Sequence, residues 1–436
     1  MNENYNEEKY IKDLIFQRLT NKEIPIDFPE ELDGKDQNFV IPDGRRKDLR
    51  DVICFTIDGP DAKDLDDAIS LSLTEKGYRL GVHIADVTAY VPYGSSVAAE
   101  AEKRGTTIYL PGGSVPMFPE YLSQDLCSLN ADSDKRAISM FIDYDREGNI
   151  LGYEVCRSFI RSRVRGVYSE VNSILDGTAD DALLEKYAPV SDMIRNMHEL
   201  ATILRENRAR SGADVSSKKE SKYKFVNGLL EMTVTGGTEA DMIVCEFMVA
   251  ANVCMSYFFY DNNLPGIYRI QERTSFSARY STKCRSHESL AVCAGYMRFT
   301  SPIRRAADYK IHAALTSFIE GMSAEEVAET YSEDFEKFCP KAMALEERAK
   351  GIEHGIIREC NLLYFARHTE ETYEGVVLGK SSKTDEALIT VKPFNIRILG
   401  SSMLTSFIGQ SFKVKIAVDS QKRCLRVGHI ARPEAA

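Results

Sequence analysis

The sequence predicts an α+β protein: a strand-rich front half wrapped by helices, then a small closed barrel. Three observations carry that reading. Strand signals dominate from about Arg46 to Arg163, helical periodicity follows in Ser169–Ala209, 241–260, Arg304–Phe318 and Ser323–Arg367, and the tail breaks into five short apolar runs separated by polar turns. A chain of 436 residues, 43% of them hydrophobic, can fill a large core and suggests two or three domains. The expected divisions are 1–45 for an N-terminal helix and linker, 46–368 for the main body, and 369–436 for the barrel.

In chain order, Tyr10, Ile11, Leu14, Ile15, Phe16 and Leu19 fall at helical spacing and predict one amphipathic helix before an extended linker. Val52-Ile53-Cys54-Phe55 and the alternating Ile69-Ser70-Leu71-Ser72-Leu73 read as strands on either side of an acidic loop. Met193, Met197, Leu200, Ile203 and Leu204 recur among charges as one helix face. The basic run around Tyr223 (Lys218, Lys219, Lys222, Lys224) reads as a solvated face that can meet phosphates. Residues 241–260 form an apolar helix, read as core because Asp241 and Glu246 interrupt it. No apolar run reaches the roughly 18 residues that span a bilayer. Helices are expected from Arg304 to Phe318 and from Ser323 to Arg367. The tail segments Thr372–Val377, Ala387–Val391, Ile396–Leu399, Gln410–Val418 and Cys424–Ile430 outline a five-stranded OB barrel, a common single-strand-binding fold. Tyr373, Phe394 and Phe412 with Lys392, Arg397, Lys413 and Lys415 offer rings and charge there, although Phe412 reads better as barrel filling.

Ten cysteines occur with no close CxxC pair, and no cleavable apolar leader opens the chain, so reduced thiols in a cytoplasmic protein are expected. The net charge of −11 argues against a nucleic-acid partner, but it is unevenly spread. From Glu371 onward ten Lys/Arg face six Asp/Glu, leaving 45 against 60 in the rest, so any RNA path must be a local positive track.

The chemistry concentrates in Asp58-Gly59-Pro60-Asp61-Ala62-Lys63-Asp64-Leu65-Asp66-Asp67. Two carboxylates about 4 Å apart repel by roughly 4 kcal/mol at an effective dielectric of 20. Folding several into one turn between buried strands calls for a cation. Oxygen donors without His or Cys select Mg2+, with Mn2+ also possible, rather than zinc. A solvated acidic turn is the ordinary alternative, and an EF-hand is excluded by the spacing and by flanking strands. A second constellation, Tyr296-Met297-Arg298-Phe299-Thr300-Ser301-Pro302-Ile303-Arg304-Arg305, adds paired arginines. An acidic metal loop with such a loop is what phosphoryl chemistry requires.

Together these segments resemble the ribonuclease II family, whose catalytic module is the RNB domain. The resemblance continues in order through Tyr78–Val87, Tyr109-Leu110-Pro111-Gly112, Pro116–Pro119, Leu122–Leu129, Ile160–Arg163 before Tyr168, Glu246-Phe247-Met248 with Ala251-Asn252, and Tyr268-Arg269-Ile270. It implies an RNB catalytic domain followed by an OB-fold RNA-binding domain. The implied activity is a 3′-to-5′ exoribonuclease that converts single-stranded RNA to nucleoside 5′-monophosphates with a divalent metal. Carried over by position, Asp58 and Asp67 are implied as direct metal ligands, while Asp64 and Asp66 complete the cluster, holding a second metal or the attacking water. Asp61 falls on a variable position. Arg304 is implied as the clamp on the scissile phosphate, with Arg298 and Ser301 in the same substrate loop; Arg305 is equally a structural ion-pair partner. Tyr109 is implied to stack on the 3′-terminal nucleotides, and Tyr223 and Glu246 to help sense the ribose 2′-hydroxyl.

The chain departs from the family pattern in three places. The stretch between Arg269 and Tyr296 is short; Gln271 and Thr274 stand where His and Pro are usual; and Ala306-Ala307 replaces Tyr-Pro. The shortened stretch is expected to leave the channel wider or shallower; residues 1–45 are too few for the family's cold-shock domains, so these are expected to be absent, with lower RNA affinity and processivity. Two rivals remain open: a catalytically silent RNA-binding scaffold, and a metal-dependent phosphodiesterase acting on DNA or short oligonucleotides.

Overall fold

A computed structural model describes residues 6–32, 43–216, 219–272, 275, 277–293 and 295–431; Lys218 and Thr274 lie outside the described residues. The first helix is α1 (Glu7–Asn21), followed by strands β1 (Arg46–Asp48), β2 (Cys54–Asp58), β3 (Asp67–Leu73) and β4 (Gly77–Ala85). Then come α2 (Ser96–Arg104), the short pair β5 (Ile108–Leu110) and β6 (Gly113–Val115), and the long strands β7 (Asp134–Asp145) and β8 (Ile150–Val167). Helices α3 (Tyr168–Leu175), α4 (Asp181–Tyr187) and α5 (Ser191–Arg210) precede a hairpin of β9 (Glu220–Val226) and β10 (Leu229–Thr235). After α6 (Glu239–Asp261), β11 (Tyr268–Ile270) and β12 (Arg279–Ser281), two helices remain, α7 (Ala306–Glu320) and α8 (Ala324–Arg367). The tail holds β13 (Tyr373–Lys380), β14 (Ala387–Lys392), β15 (Ile396–Gly400), β16 (Ser411–Asp419) and β17 (Cys424–Ala431).

The main sheet runs β1-β8-β2-β3-β4-β7, and β8 also pairs with β7. Strand β8 therefore holds β7 on one edge and β1 and β2 on the other, so the run from β2 to β7 returns to its start. Apolar residues at nearly every position of β2 and β4 are buried, as strands covered on both faces require. α6 packs in this first core through Phe247, Met255 and Phe259. It is the one helix among the described residues with the length and apolarity to cross a membrane, but 61% of its most apolar window is buried in protein. Thr238 and Asp241 form a capping box at its start.

The expected closed five-stranded barrel is present, ordered β13-β14-β15-β17-β16. Phe412 packs in its core cluster, as do Tyr373 and Phe394. That second core extends beyond the barrel. Ile11 and Leu19 of α1, Ile108 and Val115 of the β5–β6 pair, Leu230 and Met232 of β10, and Ile352, Ile356 and Phe365 of α8 share it with barrel residues such as Val391 and Ile398. α8, about 66 Å long by its rise per residue, touches the first core with its front turns and the second with its rear turns.

Two elements add to the sequence reading. The strand-rich front contains the helix α2, capped by Ser95 and stopped at Gly105, whose φ of +76° suits glycine. The basic run around Tyr223 is a β-strand: Asn227 and Gly228, both at positive φ, make the two-residue turn between β9 and β10. None of the ten cysteines forms a disulfide, and six of them are buried.

Candidate active site

The acidic residues sit where two strands end and begin. Asp58 is the last residue of β2, paired in parallel with Val167, and Asp67 is the first of β3, opposite Ile84. Between them the loop is pinned by groups far away in sequence. Arg165 of β8 donates to the carbonyls of Pro60 (3.1 Å) and Ala62 (2.5 Å). Ser128 accepts from the Leu65 N–H at 3.1 Å and donates to the Lys63 carbonyl at 2.7 Å, while the Leu65 side chain is fully buried. The loop is thus held in shape with Asp66 turned inward.

Asp66 is buried, and both its oxygens are engaged from the 301–305 loop: one accepts the Ile303 N–H at 2.8 Å, the other the Arg304 Nε at 3.0 Å. Arg304 Nη2 also donates to Ser301 Oγ at 2.7 Å, and its Nη1 makes no hydrogen bond among the described residues. One flank of the guanidinium is therefore fixed while its outer end stays open. The Tyr109 hydroxyl donates to Asp64 at 2.5 Å, and its backbone N–H is held by Glu353 of α8 at 3.0 Å; the Tyr109 residue is 45% exposed.

Burial pushes Asp58 up to about 8, with the charges of Asp67, Asp66 and Asp64 adding and Arg304 opposing. Burial likewise raises Asp66 to about 8 against Arg304 and the Ile303 N–H, and Asp67 to about 6 against Arg304 and Arg305. Asp58 Oδ2 is buried without a hydrogen-bond partner. An orphaned carboxylate oxygen beside like charges is chemistry that fits a hard divalent cation, and Asp58 and Asp67 are the residues that could hold one. Among the described residues no three His, Cys, Asp or Glu side chains already form a ligating group, since Tyr109 engages Asp64 and Arg304 engages Asp66.

The structure thus gathers Asp58, Asp64, Asp66, Asp67, Tyr109, Ser301 and Arg304. It gives the other named residues partners of their own. Arg305 is buried in a two-point pair with Asp308 (3.0 and 2.6 Å), and Asp308 also accepts the Ser301 N–H, so Arg305 shapes the loop. Glu246 accepts from Arg208 at 2.7 Å through both oxygens. Arg298 faces Glu346 at 3.6 Å, and the Tyr223 hydroxyl bonds Asn361 of α8. Asp61 is exposed, as its variable position implied. Tyr168, at the start of α3, was not named as a site residue; burial first, then the charges of Asp58 and Asp67, push its phenol up. Its position directly after β8, which carries the partner of Asp58, was the signal available.

Comparison with known proteins identifies the family and the fold. The RNB domain profile matches residues 46–277, more than half of the chain. Ribonuclease R of Thermotoga maritima is 34% identical over 418 residues, which cover 81% of this chain and 58% of that protein. The chain spans about three-fifths of the length of such curated relatives. Among solved structures, Mycoplasma genitalium RNase R in complex with double-stranded RNA superposes with a TM-score of 0.82 at 21% identity, covering 97% of this chain and 83% of that one. Yeast Ssd1, a pseudonuclease, shares the fold at a TM-score of 0.66 and 16% identity, covering 95% of this chain and 58% of that one.

Proposed function

The chain belongs to the RNB domain family, and from that premise we propose that it is a metal-dependent 3′-to-5′ exoribonuclease acting on single-stranded RNA. One observation carries the reading: a buried nest of carboxylates, one with an orphaned oxygen, is joined at 3.0 Å to an arginine contributed from 238 residues downstream. Asp58 and Asp67 would hold Mg2+ or Mn2+, which when bound supplies an activated water and offsets charge on the leaving oxygen. Asp66 fixes Arg304 so that its outer end meets the non-bridging phosphate oxygens. Ser301 holds the same guanidinium from the other side. Tyr109, kept upright by Asp64 and Glu353, offers its face to the terminal bases, where stacking contributes about 1–3 kcal/mol per base. Products are nucleoside 5′-monophosphates: water adds to phosphorus, the P–O3′ bond breaks, the 3′ oxygen leaves on the shortened RNA as a hydroxyl, and the phosphate stays on the 5′ oxygen of the released nucleotide.

The test is 5′-labelled single-stranded RNA with purified protein, in magnesium or manganese and in EDTA. Stepwise shortening from the 3′ end with monophosphate release, abolished by EDTA, supports the proposal. Tight binding without shortening in either metal supports the second reading, a silent RNA-binding protein. That reading is favoured only by the shared fold of a pseudonuclease, and the intact acids and Arg304 speak against it.

A further inference from the structure

We infer that the β9–β10 hairpin delivers a substrate-contacting cation, Lys222, to the acidic loop, where it grips the RNA phosphodiester nearest Gly59. The inference rests on the exoribonuclease reading and adds a residue to it. A methyl group placed on Gly59, the residue after Asp58, would stand 3.7 Å from the Lys222 Nζ. The ammonium therefore overhangs the loop itself. Among the described residues Lys222 forms no ion pair and no side-chain hydrogen bond, although five carboxylates lie between Asp58 and Asp67 beneath it. A cation held there without a protein partner is open to an anionic ligand.

The hairpin is built to hold that position. Its side chains alternate by the strand period of two. Ser221, Tyr223 and Phe225 turn inward and Lys222 and Lys224 outward, with burial alternating in step. The inward row is tied down on three sides. Ser221 Oγ donates to the Phe394 carbonyl of the barrel at 3.0 Å, Tyr223 bonds Asn361 of α8, and the Phe225 ring lies 3.2 Å from where a methyl on Gly112 would sit. The N-terminal helix secures the second strand: Glu7 accepts the Leu230 N–H at 2.8 Å, and the Glu8 N–H donates to Gly228. Cross-strand register separates the two outward lysines. Lys224 stands opposite Glu231, whereas Lys222 stands opposite the neutral Thr233. Of these two outward lysines, Lys222 is the one that faces no carboxylate across the hairpin and stands close to the loop.

Arg304 alone leaves the phosphate half held, because its flank is committed to Asp66 and Ser301. A second cation approaching from the hairpin completes a two-sided grip. Each phosphate contact to a single strand changes the dependence of log affinity on log salt by about 0.7.

The experiment measures binding of a fluorescent single-stranded RNA in EDTA across a salt series, for the wild type, Lys222→Ala, Lys222→Arg and Lys224→Ala. It is paired with KM and kcat in magnesium and a melting curve for each variant. Lys222→Ala is expected to bind five- to tenfold more weakly, with a salt slope shallower by about 0.7, an unchanged melting temperature and a raised KM. Lys222→Arg should restore affinity and slope, and Lys224→Ala should match the wild type. Wild-type affinity and slope in Lys222→Ala, or equal losses at both lysines, overturns the assignment while leaving the exoribonuclease reading standing. A wild-type protein that neither binds nor shortens RNA overturns both.

Discussion

Replacing Asp66 with asparagine separates two roles that an acidic loop can play. Its carboxylate is buried and serves two donors, the Ile303 N–H at 2.8 Å and Arg304 Nε at 3.0 Å. Asparagine keeps one acceptor oxygen and turns an NH2 toward the other donor. With Asp66 ionised, above its raised pKa of about 8, the gross attraction between unit charges 3 Å apart is about 5.5 kcal/mol at an effective dielectric of 20. Desolvation offsets much of that, so the net loss is nearer the roughly 1.5–3 kcal/mol of one charged hydrogen bond. Arg304 then loses its fixed flank, and removal of a preorganised group facing developing charge lowers kcat by about 10²–10³-fold. Because the Asp66 oxygens are committed to the 301–305 loop, the apparent magnesium constant should move less than in Asp58→Asn. The assay is single-turnover cleavage of a labelled 15-mer over a magnesium series for both variants, with a melting curve for each. A magnesium constant shifted more by Asp66→Asn than by Asp58→Asn would refute the anchoring role and return Asp66 to the metal shell.

Three further outcomes are expected. Gly166→Ala places a methyl 2.3 Å from the Thr56 carbonyl oxygen; β8 must part from β2 by about 1 Å to restore contact distance. The neighbouring Asp58 moves with it, so activity should fall about 10²-fold, read by steady-state kinetics on a still-folded variant. Asp86 is fully buried between Arg46 (2.6 Å) and Arg157 (3.1 Å); burial pushes its pKa up, but the two arginines outweigh it and hold it at about 2. Asp86→Ala strips Arg46 of its carboxylate and leaves Arg157 with Glu320 alone (2.6 Å), and should cost about 3–5 kcal/mol of stability in a urea titration. The third concerns pH. Folded Asp58 and Asp67 lie above their unfolded values, so between about pH 4 and 8 the folded chain binds more protons than the unfolded one. This site therefore subtracts stability as pH rises in metal-free protein. Magnesium binding must expel those protons, so calorimetry should find proton release and a tighter magnesium constant at pH 8 than at pH 6, and a pH-independent constant would contradict it.

The barrel and the acidic loop were legible because local chemistry alone specifies them. Five apolar runs with polar turns close only one way, and Asp-rich sequence between two buried strands has few uses. The hairpin carried an equally strong local signal, Asn227-Gly228, but the lysines around Tyr223 drew attention to charge and away from the turn. α2 was hidden by its length: nine residues starting at Ser96 show too few periods to stand out among strands, though Ser95 and Gly105 bracket it. The side-chain partnerships were beyond reach. That Asp66 answers Arg304, that Arg305 closes on Asp308, and that Glu246 is spent on Arg208 follow from long-range packing, which no spacing rule encodes.

The shared second core has a practical corollary for anyone dissecting this molecule. Severing the chain near residue 369 to isolate an enzymatic fragment would bare Ile352, Ile356 and Phe365 on the rear turns of α8, together with Ile11 and Leu230. Such a stump would present a sticky greasy face and precipitate or misassemble. Even where it survived, the prong that carries Lys222 would have lost its footing on Phe394, so a truncated preparation would misreport how strongly the intact molecule holds its substrate.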